Sequence, residues 1–382
     1  MATDGERVDA RSGSLRVAAI IDAAAVSGPG RQLAALAGAL ASQGVALSVV
    51  AFDRRGASRA FLAYLDELGV PHEVVPERGP LDPAVIRHLR DVLSRIDPHL
   101  VQTHGYKPAT LAWLLRRTGA TWPWVAFFHG ATSENLKVRA YNRIHRAVSR
   151  SADEVVSMAI RHLGYHRHPH QRVIHNAVLA IPSTPDQDFL RRVAALPLPS
   201  PRLLVLGRLS PEKGVDVMLR ALQGIARRGP PVGLLVVGDG PERERLGRLA
   251  GELGVSERVA FLPATSDVAA AYCHCDAVVI PSRSEGLPNV LLEALSHDRP
   301  VLSTDVGAVR EVLGESRAGV IVPPESPEAL AAAIPTVLAM RADATAAEAR
   351  RQVAQRFSLS ARVAAHLQLY RDVLERRGAS HA

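Results

Sequence analysis

Ile280-Pro-Ser-Arg-Ser-Glu-Gly-Leu-Pro-Asn-Val-Leu-Leu-Glu-Ala-Leu-Ser296 is the stretch on which the fold turns. An apolar run from Ala277 to Ile280 stops at Pro281, as a buried strand does. A short polar loop then presents Glu285 and Gly286, and Pro288 stands where a first-turn proline would pre-set φ. Val290 to Leu295 continue as a mostly apolar helix. Glu285 therefore lies on a loop at the C-terminal end of a strand, and Glu293 within the helix that follows. Free backbone N–H groups at that helix start make an anion site. Beside two carboxylates, such a site suits a ligand that is part phosphate and part polyhydroxylated. Taken alone, the same residues also describe a surface glutamate and a helix glutamate that merely solvate their turn.

The same unit recurs along the chain. Leu15 to Ile21 is an apolar strand, and Asp22 to Gly30 is a small-residue loop ending Ser-Gly-Pro-Gly. Arg31 to Gln43 reads as a helix stopped by Gly44, and Val45 to Phe52 is the next strand. The glycines do not spell the dinucleotide fingerprint. Strands at 72–75, 100–103, 124–128, 154–158 and 173–176 alternate with helices at 58–68, 83–96, 108–117 and 134–150. Leu196-Pro-Leu-Pro-Ser-Pro201 is a proline-rich boundary, after which the alternation resumes from Arg202 to helices at 327–340, 343–356 and 360–376. This predicts an α/β protein of two Rossmann-like, doubly wound parallel-sheet domains facing each other across a cleft. The expected divisions are a disordered tail at 1–14, domains at 15–195 and 202–358, a linker at 196–201, and a C-terminal helix at 359–382 returning towards the first domain.

Bulk properties narrow the classes. At 382 residues, two domains are expected. The polar start and the absence of a long apolar run point to a cytoplasmic protein. A net charge of +8 invites an anionic partner, but aromatic residues are only 4% and no basic tract interleaves with them, so nucleic acid is not expected. Cys273 and Cys275 are too close for a ready disulfide and too few for structural zinc, and read as small, semi-buried side chains at a helix end.

Arg208 and Lys213 share one loop, Gly207-Arg-Leu-Ser-Pro-Glu-Lys-Gly214, directly after a strand. Beside backbone N–H groups, an arginine fork and a lysine point charge would grip a diphosphate. A solvated basic turn is the plainer reading of the same loop. His129 ends a strand at the ligand-facing edge, where either a structural or a functional histidine is at home. His162, His166, His168, His170 and His175 lack accompanying Asp, Glu or Cys at ligand spacing and read as a polar connection, so no metal is expected. Arg139, Arg143, Arg146 and Arg150 form a basic stripe beside an apolar stripe of Tyr141, Ile144 and Val148. Such a helix either lies on anionic lipid or packs its apolar face on its own sheet with the arginines in water.

The motifs Gly207–Gly214, Gly238-Asp-Gly-Pro241 and Pro281–Ala294, with seven residues between Glu285 and Glu293, resemble the retaining nucleotide-sugar glycosyltransferases of the GT-B fold, glycosyltransferase family 4. Asp305-Val-Gly-Ala-Val-Arg-Glu311 is similar to the segment that follows in that family. The resemblance covers the C-terminal half; in the N-terminal half it rests on the glycine loop, His129 and Asn176. It implies that Arg208 and Lys213 bind the donor diphosphate, Glu285 the hydroxyls of the transferred sugar, and Glu293 the ribose. The backbone at Gly286 and Leu287 would face phosphate or sugar. His129 would contact the sugar from the opposite domain, and the Gly28–Gly30 loop would approach the diphosphate. Asn176 and Asn289 are further carry-overs. Ser27-Gly-Pro-Gly30 stands where many relatives carry a glycine pair and a glutamate, and Ala177 where relatives often have glycine.

The function this implies is metal- and cofactor-independent transfer of a hexosyl unit, expected from a UDP-sugar, to a glycan or polyprenyl-linked acceptor. Retention would proceed on the front face, with a donor phosphate oxygen accepting the acceptor proton. A peripheral place at the inner face of the cytoplasmic membrane would follow from the Arg139–Arg150 stripe. The alternatives are a same-fold sugar-phosphate synthase with a soluble phosphorylated acceptor and a non-catalytic nucleotide-sugar-binding partner. In a glycosidase, the diphosphate-gripping loop would have no purpose.

Overall fold

A computed structural model describes residues 14–79, 82–130, 136–179, 187–226, 231–265, 268–314 and 316–379. The first sheet holds seven strands: β1 (Leu15–Ile21), β2 (Val45–Arg54), β3 (His72–Glu77), β4 (Leu100–His104), β5 (Trp124–Phe128), β6 (Glu154–Ser157) and β7 (Gln171–Val173). They lie in the order β3-β2-β1-β4-β5-β6-β7, with every pairing parallel. The helices between them are α1 (Gly28–Ala41), α2 (Arg59–Glu67), α3 (Ala84–Ile96), α4 (Tyr106–Arg117), α5 (Leu136–Ser149) and α6 (Leu163–His166). Helix α7 (Gln187–Ala194) leads to the second sheet.

The second sheet holds β8 (Arg202–Leu206), β9 (Gly233–Val237), β10 (Val259–Leu262), β11 (Ala277–Ile280), β12 (Val301–Thr304) and β13 (Gly319–Val322), ordered β10-β9-β8-β11-β12-β13 and all parallel. Its helices are α8 (Val215–Ala226), α9 (Arg243–Glu252), α10 (Val268–Cys273), α11 (Asn289–Ser296), α12 (Val309–Leu313), α13 (Pro327–Ala339) and α14 (Ala344–Arg356), before the long α15 (Leu359–Ala379). Central strands such as β5 and β9 are buried at every residue, as helices on both faces require. The strand order reverses between β1 and β4 in one sheet and between β8 and β11 in the other. Ligands bind at such switch points, beyond the strand C-termini.

Helix α15 leaves the second unit and packs on the first. Tyr370 bonds Gln102 on β4, Asp372 pairs with Arg172 on β7 at 2.9 Å, and Arg377 with Asp153 at 2.8 Å.

Several local expectations shift. Helix α1 begins at Gly28, not Arg31, because the Ser27 hydroxyl accepts from the Gly30 N–H at 3.2 Å and Pro29 suits a first turn. Gly28 and Gly30 are thus the first turn of a helix, not a loop. Pro288 is the N-cap of α11, with extended backbone, so the helix starts one residue later. The last strand of the first sheet ends at Val173, leaving His175 and Asn176 outside it. Cys273 and Cys275 separate: the first is exposed, and burial pushes the thiol of the second up to about 12. The front of the expected helix at 134–150 lies outside the described residues.

Helix α5 departs most from its expected faces. Val148 is buried and Tyr141 stacks on Tyr106 with ring centroids 4.2 Å apart, but Ile144 is 43% exposed. The buried face runs instead through His145, Val148 and Ser149. Arg139, Arg143 and Arg150 are exposed, whereas Arg146 lies over the Tyr165 ring at 5.1 Å. The histidines expected on a polar connection are in part built into short helices and buried. His166 is buried against Phe128 and His145, His168 bonds backbone carbonyls, and His175 reaches Glu311.

Candidate active site

The cleft is built where the two switch points meet. On the second sheet, the loop after β8 carries Arg208 and Lys213, and the loop after β11 carries Glu285. The two loops are stitched together by a residue the sequence reading passed over. Arg283 forks onto Asp216 of α8 at 2.8 and 2.9 Å, donates to the Pro211 carbonyl at 2.6 Å, and gives its own N–H to the Glu212 carbonyl at 2.7 Å. Burial raises the Asp216 pKa, but the Arg283 hydrogen bonds outweigh it and hold the carboxyl below its ordinary value. Gly214 sits at φ +64°, and a Cβ there would lie 2.0 Å from the Pro281 carbonyl oxygen, so the loops touch backbone to backbone.

Within this frame Lys213 Nζ lies 2.7 Å from Glu285 Oε1, which also accepts from the Ser282 hydroxyl at 2.8 Å. The other oxygen of Glu285 has no protein partner among the described residues. Arg208 is exposed and, among the described residues, has no side-chain partner at all. A lysine engaged with a carboxylate and an arginine left open give the loop spare positive charge beside the N-terminus of α11.

Glu293 is only 5% exposed. Its Oε2 accepts from the Tyr272 hydroxyl at 2.9 Å, and its Oε1 meets Arg31 of α1 at 3.2 Å. Arg31 was not singled out in the sequence, since nothing local distinguishes it from any helix arginine; its role appears only when the two sheets face each other.

The first sheet contributes the opposite wall. His129, half-buried at the end of β5, is followed by Gly130 at φ +121°, which abuts Gly286. A Cβ on Gly286 would fall 1.9 Å from the His129 carbonyl oxygen. Gly28 lies likewise against Asn289, where a Cβ would come within 2.4 Å of the side-chain nitrogen. Asn289 Oδ1 accepts from Asn176 at 2.9 Å and from Gln32 at 3.3 Å, and Asn176 also reaches the Leu287 carbonyl at 3.4 Å. Gln32 bonds the Ala177 backbone in both directions and receives the buried guanidinium of Arg362 on α15. A second set of bridges joins the units elsewhere: Arg161 to Asp305 at 2.8 Å, and Glu311 to His175 at 2.9 Å and to the Ile160 N–H at 2.7 Å.

Of the residues the family resemblance implicates, Gly28, His129, Asn176, Gly286, Leu287, Asn289 and Glu293 make contacts between the two units, and Arg208, Lys213 and Glu285 stand on the loops after β8 and β11. Gly30 closes on Phe61 of α2 rather than on the facing unit. Burial, reinforced by the Arg362 charge, pushes the His129 pKa down to about 4, so its imidazole is neutral at neutral pH. Among the described residues, no group of three or more His, Cys, Asp or Glu side chains is arranged to hold a metal ion.

Two parallel-sheet α/β units, with a basic loop, a helix start and carboxylates at the strand ends where they face each other, have the architecture of the GT-B class. Comparison with known proteins gives the family. Residues 186–356 match the model for glycosyl transferases group 1, and residues 27–176 the glycosyl transferase 4-like domain. The chain is 31% identical over 277 residues to a phosphatidyl-myo-inositol mannosyltransferase of Mycobacterium leprae, covering 70% of this chain and 72% of that protein. It is 35% identical over 149 residues to a GDP-mannose-dependent alpha-(1-6)-phosphatidylinositol monomannoside mannosyltransferase of Mycolicibacterium smegmatis, covering 36% of this chain and only 39% of the relative's length. In fold it is similar to Anabaena Alr3699/HepE in complex with UDP-glucose, with a TM-score of 0.79, 20% identity and coverage of 95% of this chain and 100% of that one. The chain belongs to the group 1, family 4 glycosyltransferases.

Proposed function

We propose that the chain transfers a hexosyl unit, with retention of configuration and without a metal, from a nucleoside-diphosphate sugar to a glycan or lipid-linked acceptor. The observation that carries this reading is the pairing of an open Arg208 with Lys213 beside Glu285 on one sheet, faced by a neutral His129 on the other.

In this reading the diphosphate lies across the loop after β8 and the start of α11. Arg208, Lys213 and the helix N-terminus stabilise the negative charge that grows on the β-phosphate as its bond to the sugar C1 breaks. The acceptor oxygen bonds C1 from the same face, and its proton passes to the departing phosphate oxygen. Glu285, paired with Lys213 and hydrogen-bonded by Ser282, is a poor nucleophile and a good acceptor for sugar hydroxyls through its open oxygen. Glu293 is held in one orientation by Tyr272 and Arg31. A carboxylate has about four acceptor sites, which leaves capacity for ribose hydroxyls. A uracil or guanine base is supported by the UDP-glucose in the Anabaena structure and by the GDP-mannose dependence of the Mycolicibacterium relative. A UDP-sugar is our first choice.

The acceptor reading rests on α5. Arg139, Arg143 and Arg150 are exposed beside Ile144, and Ile160 is a further exposed apolar side chain on the first unit. Basic and apolar groups together on one exposed helix suit an anionic lipid surface. We infer from this an acceptor presented at a membrane interface, with the protein peripheral at the cytoplasmic face. The test is transfer from UDP- and GDP-hexoses to lipid-linked acceptors, with NMR of the product anomer and flotation on anionic vesicles. An inverted anomer sinks the front-face mechanism, and salt-insensitive absence from the vesicles sinks the membrane reading.

A further inference from the structure

His129 is not an isolated ring. Its Nε2 lies 2.9 Å from Nδ1 of His104, whose Nε2 lies 3.2 Å from the Gln102 side-chain amide nitrogen; the Gln102 carbonyl oxygen accepts from the Tyr370 hydroxyl at 2.9 Å. Tyr370, Gln102 and His104 are buried, and Tyr370 belongs to α15, 268 residues along the chain from Gln102. Neither ring bonded in this line takes up a proton readily: burial holds His104 well below its ordinary pKa and His129 at about 4.

Neutral rings in a line have a direction. A phenol donates better than it accepts, so Tyr370 holds the carbonyl end of Gln102 towards itself. The amide nitrogen of Gln102 can only donate, which makes His104 Nε2 an acceptor and puts the His104 proton on Nδ1. That proton is given to His129 Nε2. His129 must then carry its own proton on Nδ1, a nitrogen with no protein partner among the described residues and not among the sealed, unsatisfied atoms.

We propose that Tyr370, Gln102 and His104 are positioning residues that fix His129 in the Nδ1–H tautomer, so that it presents an N–H donor to the sugar in the cleft. The tautomer is set by a helix from the far end of the chain, and the assembled site depends on that helix being docked. The inference rests on the reading of His129 as a sugar contact; the wiring itself does not.

The test is long-range ¹H–¹⁵N correlation on the histidines of the wild type, Tyr370→Phe and His104→Phe, with donor-turnover rates on the same samples. Phe at 104 retains the stack on Phe127, whose centroid lies 4.7 Å away, and Phe at 370 removes only a hydroxyl. The expected result is a pyrrole-type Nδ1 and a pyridine-type Nε2 for His129 in the wild type, and a mixed or reversed pattern in both variants. Turnover should fall about tenfold in Tyr370→Phe, the worth of one hydrogen bond. A wild-type His129 protonated on Nε2 overturns the proposal, as does a wild-type pattern in both variants. A changed tautomer with unchanged turnover overturns the positioning role. A wild type with the expected tautomer that turns over no nucleotide sugar refutes the functional reading and leaves the wiring standing.

Discussion

Gly286→Ala is the sharpest perturbation the cleft offers. Gly286 has no left-handed backbone, so alanine strains nothing within its own loop. Its new Cβ would sit 1.9 Å from the His129 carbonyl oxygen, and nothing on that side is a flexible side-chain end: the next atoms are the His129 carbonyl carbon at 2.9 Å and the Gly130 nitrogen at 3.5 Å. Restoring van der Waals contact needs a separation greater by about 1.5 Å, and the cheap route is for the two walls to part. A misplacement of about 1 Å between reacting groups costs on the order of a hundredfold in rate, so kcat/KM should fall about 100-fold. Overpacking that is relieved by opening costs little stability, about 1 kcal/mol, or roughly 2–4 °C in Tm. Initial rates with saturating acceptor and a thermal melt on the same preparation measure both. A variant within about twofold of wild type in kcat/KM would show that the Gly130–Gly286 contact is not part of the reacting geometry.

Other outcomes follow from the same contacts. Lys213→Ala removes the cation on Glu285 and should lower kcat about 100- to 1000-fold in a donor-turnover assay, the cost of one preorganised charge-stabilising group. Arg283→Ala should destabilise by about 2 kcal/mol, because it leaves the buried Asp216 with Arg220 as its remaining ion-pair partner; the melt should drop by roughly 4–8 °C. Stability should also fall in acid. Burial, the leading cause in each case, holds His129 and His145 at about 4 and His166 and His366 at about 3, against an ordinary 6.5. Below pH 6.5 the unfolded chain takes up protons that the folded chain refuses, so stability is complete above that value and is lost progressively as the pH falls to about 4 for His129 and His145 and to about 3 for His166 and His366. A urea midpoint that declines steadily from about pH 6.5 to about pH 4.5 is expected, and a flat one contradicts the burial of these rings.

The fold was legible because parallel strands buried on both faces must be short apolar runs, and runs such as Leu15–Ile21 and Gly233–Val237 announce themselves without tertiary information. The binding loops were legible for a related reason: a doubly wound sheet puts whatever follows a strand at the ligand edge, so Arg208, Lys213 and Glu285 were placed once their strands were. Contacts between the units were not. Arg31 with Glu293, Gln32 with Arg362 and Tyr370 with Gln102 join residues hundreds of positions apart, and no local spacing encodes them. Periodicity also misplaced Ile144. Its spacing from Tyr141 and Val148 fits an apolar stripe, but α5 turns His145 and Ser149 inwards instead. The short helices α7 and α12 carry too few turns to show a period and were missed.

The most direct test is donor binding to the cleft, read as thermal stabilisation by UDP-, GDP- and ADP-sugars for the wild type and for the Arg208→Ala/Lys213→Ala double variant. At a donor concentration about 100 times its Kd, mass action stabilises the folded chain by about 2.7 kcal/mol. One nucleotide sugar should raise the wild-type Tm, and the double variant should show no rise with the same compound. No rise with any nucleotide sugar, or an equal rise in the double variant, would contradict a diphosphate held by the loop after β8.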